Sequence, residues 1–122
     1  MIDIGRSLDH ALDLVMKSHR QSLWLVAVFA SAQHYQVTVD VILAPRLRRP
    51  DQLLARRACI HLAHTFYSIP QAVIASFCKA DRTVICRDVT AFEVALENLA
   101  VADQYQALLD RLQDTRAMAD AA

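Results

Sequence analysis

Asp81, Arg82, Thr83 and Val84 place a carboxylate, a long cationic fork, a hydroxyl and an apolar branch at consecutive positions. Presented from the first turn of a helix, such a set suits the edges of base pairs in a major groove. An arginine fork bonds guanine O6 and N7, a threonine or valine methyl meets the thymine methyl, and a carboxylate accepts from cytosine N4. Asp81 has a second use, since a carboxylate just before a helix accepts from its unpaired N–H groups. Both uses stay open in the sequence.

The charge pattern around this tetrapeptide points the same way. The 122-residue chain is neutral overall, with 13 basic and 13 acidic residues. Between Arg46 and Arg87, however, eight positive side chains (Arg46, Arg48, Arg49, Arg56, Arg57, Lys79, Arg82 and Arg87) meet only Asp51 and Asp81. A basic middle is therefore flanked by acidic ends. A local patch, more than the whole-molecule sum, governs attraction to phosphate.

Other chemistries find little support. His61 and His64 stand three apart without a third ligand in recognisable spacing, so they read as surface or boundary residues and no metal site is expected. No carboxylate pair is set for acid–base work, Ser68 lacks a nucleophile elbow, and no G-x-x-x-x-G-K-[ST] loop is present. No enzyme, no cofactor and no small-molecule substrate are expected. Cys59, Cys78 and Cys86 lack metal-ligand spacing and read as free thiols of a reducing cytoplasm. The most apolar run, Leu23 to Ala32, is too short for a membrane span, and no signal peptide is recognisable at the N-terminus.

The elements that must position these residues read as helices. The chain is 55% hydrophobic and has one glycine and three prolines, little punctuation for hairpins. Ser7 is a fair cap for a helix with Leu8, Leu12, Val15 and Met16 on one face, and nothing between Lys17 and Arg20 forces a break before the next apolar run. "TVDVIL", Thr38 to Leu43, has β-branched content but no partner strand, so a short helical turn capped by Thr38 is expected. "PRLRRP" is a basic loop between prolines. Asp51 opens a helix to Phe66, with Arg56 and Arg57 in its first turns and Leu54, Ala58, Leu62 and Thr65 facing inward. Ser68 caps a helix ending near Phe77; Cys78, Lys79 and Ala80 make the corner, and Asp81 caps the helix that buries Ile85, Val89, Phe92, Leu96 and Leu99. After Ala100 the stripe changes phase to Val101, Tyr105, Leu108 and Leu112, which calls for a bend or a new helix.

A short helix, a three-residue corner and a second helix with a polar start match helix-turn-helix architecture. At this point the sequence resembles the C-terminal DNA-binding domain (domain IV) of the bacterial replication initiator DnaA, over about residues 29–99. "HYQVTVDVIL" resembles the segment before that family's basic loop, "RLRRP" falls in the loop, and "ARRACIHLAHTF" looks like its arginine-containing helix. "FCKADRTVI" sits where the family has F-G-G-R-D-H-T-T-V, with Phe77, Asp81 and Thr83 matching. The resemblance implies a minor-groove arginine at Arg48 or Arg49, a backbone-contacting arginine at or beside Arg56, and a major-groove signature at Asp81, Arg82, Thr83 and Val84. Departures are Cys78 and Lys79 for the two glycines, Ala80 for the arginine, Arg82 for the histidine and Val84 for the second threonine. They imply DNA binding with a different site preference.

The expectation is thus an all-α bundle: an N-terminal helical segment (1–28), a DnaA domain IV-like helix-turn-helix domain (29–99) and a C-terminal helix (100–122). The implied function is sequence-specific binding of double-stranded DNA by a cytoplasmic, nucleoid-associated transcription regulator. The chain is also similar in domain type to small DNA-binding activators of gene transfer agent clusters, which work beside a sigma-factor-like partner. Such a partner would dock on the C-terminal helix, whose apolar face would otherwise fold back over Leu8, Leu12 and Trp24. The alternative is a protein-interaction adaptor that keeps the fold without binding DNA.

Overall fold

The structure is a computed structural model describing the backbone of residues 4–44 and 49–121, and the side chains of residues 8–44 and 49–114. Among the described residues it is all-helical, with no strand. Six helices follow in order: α1 (Ile4–Tyr35), α2 (Val39–Leu43), α3 (Pro50–Thr65), α4 (Gln71–Cys78), α5 (Arg82–Ala95) and α6 (Leu99–Ala121).

Helix α3 is the centre of the bundle and packs against α1, α2, α4 and α5. Small side chains make this feasible. Ala55, Ala58, Cys59 and Ala63 let neighbouring helices approach, while Ile60 and Leu62 fill the space between them, all fully buried. Residues 58–63 are buried consecutively, because neighbours stand on every side of the helix. Thr65 was expected inward but is exposed, and its Oγ1 donates back to the His61 carbonyl at 2.7 Å.

Helix α1 runs unbroken for 32 residues, about 48 Å. Ser7 therefore lies inside it and is not its cap, and the expected boundary at residue 28 falls within a continuous helix. Its C-terminal half enters the core through Trp24, Ala27, Val28 and Ala32. Gln36 then takes φ 57 and ends it. Thr38 accepts from the Val41 N–H at 3.3 Å and caps α2, as its hydroxyl and position suggested.

Ser68 does not cap α4. It adopts φ 57 in the connection, and Pro70 is the N-cap residue. The connection is held by Ile69, whose side chain is buried and whose N–H donates to the Ala63 carbonyl at 3.0 Å. Helix α5 buries Ile85, Val89 and Phe92 at helical spacing. Leu99 departs from that stripe and is 78% exposed, because α5 has already ended and Asn98 starts a new helix. The Asn98 Oδ1 accepts from the Ala100 N–H at 2.9 Å and from Val101 at 3.4 Å.

Helix α6 does fold back, although not onto Leu8 and Leu12, which are exposed. Trp24 is covered instead by Phe77, their rings stacked 6.1 Å apart. Tyr105 and Leu108 are the buried anchors of α6. The Tyr105 ring packs edge-on against Phe92 at 4.8 Å and His61 at 5.4 Å, joining α6 to α5 and α3. Its hydroxyl lies 2.8 Å from His61 Nδ1. Burial pushes the Tyr105 phenol up to about 12, so it stays protonated and shares a hydrogen bond with the neutral imidazole.

His61 is thus a core residue. Burial lowers its pKa below the ordinary 6.5, against the partial opposition of Glu93, whose Oε1 is 3.7 Å from Nε2. The unfolded chain then binds the proton more readily, so this contribution to stability is whole above pH 6.5 and is lost as pH falls through the lower folded value. Urea unfolding should show stability declining as pH falls below the ordinary histidine value of 6.5. His61→Gln should flatten the decline while lowering stability at neutral pH; an unchanged slope in that variant would locate the effect elsewhere.

Candidate nucleic-acid interface

The corner between α4 and α5 shows how Asp81 to Val84 are presented. Helix α4 ends at Cys78, one residue later than expected, and Lys79 takes the left-handed conformation with φ 51 and ψ 43. The Ala80 N–H reaches back to the Ala75 carbonyl at 2.9 Å, and the Lys79 N–H to Ser76 at 3.3 Å, a Schellman closure. Glycine ordinarily fills this position, since a Cβ costs roughly 1–2 kcal/mol there. Lys79 accepts that cost, and the chain turns sharply without a glycine.

Asp81 follows in extended conformation, and its Oδ1 accepts from the Thr83 N–H at 3.1 Å. The structure gives Asp81 the capping task. Arg82, Thr83, Val84, Cys86 and Arg87 are exposed, whereas Ile85, Asp88 and Val89 turn inward. Two turns of one helix thus offer two arginines, a hydroxyl and an apolar branch on one continuous face, with Lys79 at its foot. No described residue pairs with Lys79, Arg82 or Arg87.

The arginines of α3 are placed differently. Arg56 is only 6% exposed, and its Nη1 donates to the Ala44 carbonyl. It is turned into the protein and holds the residue from which the basic loop departs. Arg57 is half-buried, with its Nε 3.2 Å from Asp88 Oδ1, tying α3 to α5. Arg49 is exposed at the foot of α3 and reaches Asp51 Oδ2 at 3.2 Å. Such exposed pairs are worth about 0–1 kcal/mol and open readily. Arg46 and Arg48 lie outside the described residues. Among the anticipated residues, the structure brings together Lys79, Asp81, Arg82, Thr83, Val84 and Arg87, and it withdraws Arg56 from any surface.

Sequence reasoning did not see that Asp88 would hold Arg57, or that Phe77 would brace the corner on Trp24. The i to i+3/i+4 spacing of Asp88 with Ile85 and Phe92 was the available signal for its inward position. The thiols of Cys59 and Cys78 are both pushed up by burial, and Cys86 is exposed on the outer face of α5. Among the described residues, no helix is long and apolar enough to cross a membrane. Comparison with protein families, characterised proteins and solved structures brings no match to this chain.

Lys79→Gly should raise stability by about 1 kcal/mol, read as a Tm increase of a few degrees, because the left-handed turn is retained without its Cβ. A fall in Tm would show that the lysine side chain stabilises the corner. Arg56→Ala should cost roughly 1.5–3 kcal/mol in chemical denaturation, leaving the Ala44 carbonyl without its charged donor. A surface arginine would instead change stability by only a few tenths.

Proposed function

We propose that this chain is a sequence-specific double-stranded DNA-binding protein acting as a transcription regulator, built like the domain IV helix-turn-helix of DnaA and working as an activator. The observation that carries this reading is the opening of α5: Arg82, Thr83, Val84 and Arg87 are exposed and delivered by a tight corner from α4, and among the described residues neither arginine has an ion-pair partner. Arg82 is the fork for a guanine, Thr83 and Val84 supply methyl contacts, and Arg87 and Lys79 neutralise phosphates beside the groove. The exposed Arg49 and its neighbour Arg48 are the positions where the DnaA resemblance puts the minor-groove arginine, in the loop that begins at Arg46. Arg56 and Arg57 act in this reading as braces for the loop and for α5.

Neutrality does not weigh against the proposal. The acidic residues that cancel the basic middle lie mostly on α1, the later part of α5 and α6, away from the opening of α5. A regulator of this kind recruits its protein partner by a surface other than the reading face. The apolar anchors Tyr105 and Leu108 of α6 are already taken by the core, so a sigma-like partner would meet the exposed side of that helix.

Selection of bound sequences from a random duplex pool tests the proposal directly. A motif should emerge, and each tenfold rise in salt should lower its affinity by about 0.9 log units per neutralised phosphate. Arg82→Ala should lose roughly 1–3 kcal/mol and relax one base position. Arg87→Ala should weaken all sequences alike and reduce the salt slope by about one. No duplex binding at low salt, together with retained binding of a protein partner, would replace this reading with that of an adaptor.

A further inference from the structure

Among the described residues, the first half of α1 has no neighbour: every side chain from residue 8 to residue 19 is exposed. Yet this half is not polar all round. Leu8, Leu12, Val15, Val26 and Phe29 are spaced by alternating steps of four and three residues, with His19 and Ser22 completing the seam. That is the repeat of a two-helix coiled coil, and it spans about 32 Å. The seam continues past the point where α1 meets the core, on the face opposite Trp24, Val28 and Ser31. Eight apolar side chains of this helix are each 44–64% exposed.

Half-exposed side chains in that number leave on the order of 700 Å² of apolar surface in water, near the roughly 800 Å² per partner of a standard interface. A lone patch on a monomer is ordinarily about 300–600 Å². An isolated helical arm of this length is also marginal in water without a packed face.

We infer that the occupant is a second copy of this chain, paired antiparallel along α1. The seam is self-complementary about a point between Arg20 and Gln21. Leu12 then faces Phe29 of the second copy, Val15 faces its Val26, and polar His19 faces its Ser22. Beside the seam, Met16 meets Leu23 of the second copy, so no like charges are brought together there. Each free arm lies along the half-helix anchored in the other copy's core, while both bodies face outward. A parallel pairing would set His19 against itself and align the helix dipoles unfavourably.

Sedimentation equilibrium of the purified chain without DNA tests this, so its outcome is separate from that of the DNA-binding proposal. Two chains per particle are expected. Leu12→Glu and Phe29→Glu, both at exposed positions, should each weaken association by on the order of a hundredfold with unchanged helicity. In a Cys86→Ser background, Val15→Cys chains should cross-link to Val26→Cys chains and not to one another. A monomer at every concentration would overturn the inference, even if it bound anionic vesicles or another protein through the stripe. So would a dimer indifferent to both charges, or cross-linking of Val15→Cys to itself.

Discussion

The packing of α3 on all sides is the constraint from which the rest of the fold follows. Its alanines and Cys59 permit close approach by α1, α2, α4 and α5, and this leaves no room at its middle for a solvated side chain. The polar groups it does carry must therefore find partners inside. Arg56 reaches the Ala44 carbonyl, Arg57 reaches Asp88, and His61 takes the Tyr105 hydroxyl. Each of these bonds fixes a different element: the departure of the basic loop, the position of α5 and the seat of α6. A buried donor left alone would cost about 1–3 kcal/mol, so these side chains orient the surrounding elements as firmly as the apolar core does.

The same constraint decides what the basic middle of the chain can offer outward. Of the arginines that make this segment positive, those on α3 are used for internal bonding, and those on α5 are released to solvent. The difference is one of location within the bundle. Helix α5 has one side against α3 and α4 and another side open, so its charges divide cleanly: Asp88 goes inward to Arg57, while Arg82 and Arg87 stay out. The left-handed Lys79 then aims the start of α5 into solvent, and the stacking of Phe77 on Trp24 fastens the corner to α1.

Much of this was readable in the residues. The helical class, the short turn capped by Thr38, the capping role available to Asp81 and the phase change after Ala100 rest on local chemistry, and local chemistry survives folding. Ser68 misled because a serine before a proline-started helix resembles a cap, whereas burial of Ile69 required a left-handed residue at that place. Arg56 misled for a related reason. A run of arginines reads as a charged surface, and nothing local shows that one of them has a carbonyl waiting twelve residues upstream.

By itself, then, the sequence determined the helical class, the caps at Thr38 and Asp81, the positive stretch between Arg46 and Arg87 and the residue types at the start of α5. Capping, periodicity and charge are properties of neighbours along the chain. Tertiary structure alone decided which arginines are buried, that Lys79 takes a glycine's conformation, that His61 belongs to the core, and that the described helices of the same chain leave the apolar stripe from Leu8 to Phe29 uncovered. Those outcomes depend on which helix faces lie against α3, and the pairing of faces is set by the volume of side chains far apart in sequence.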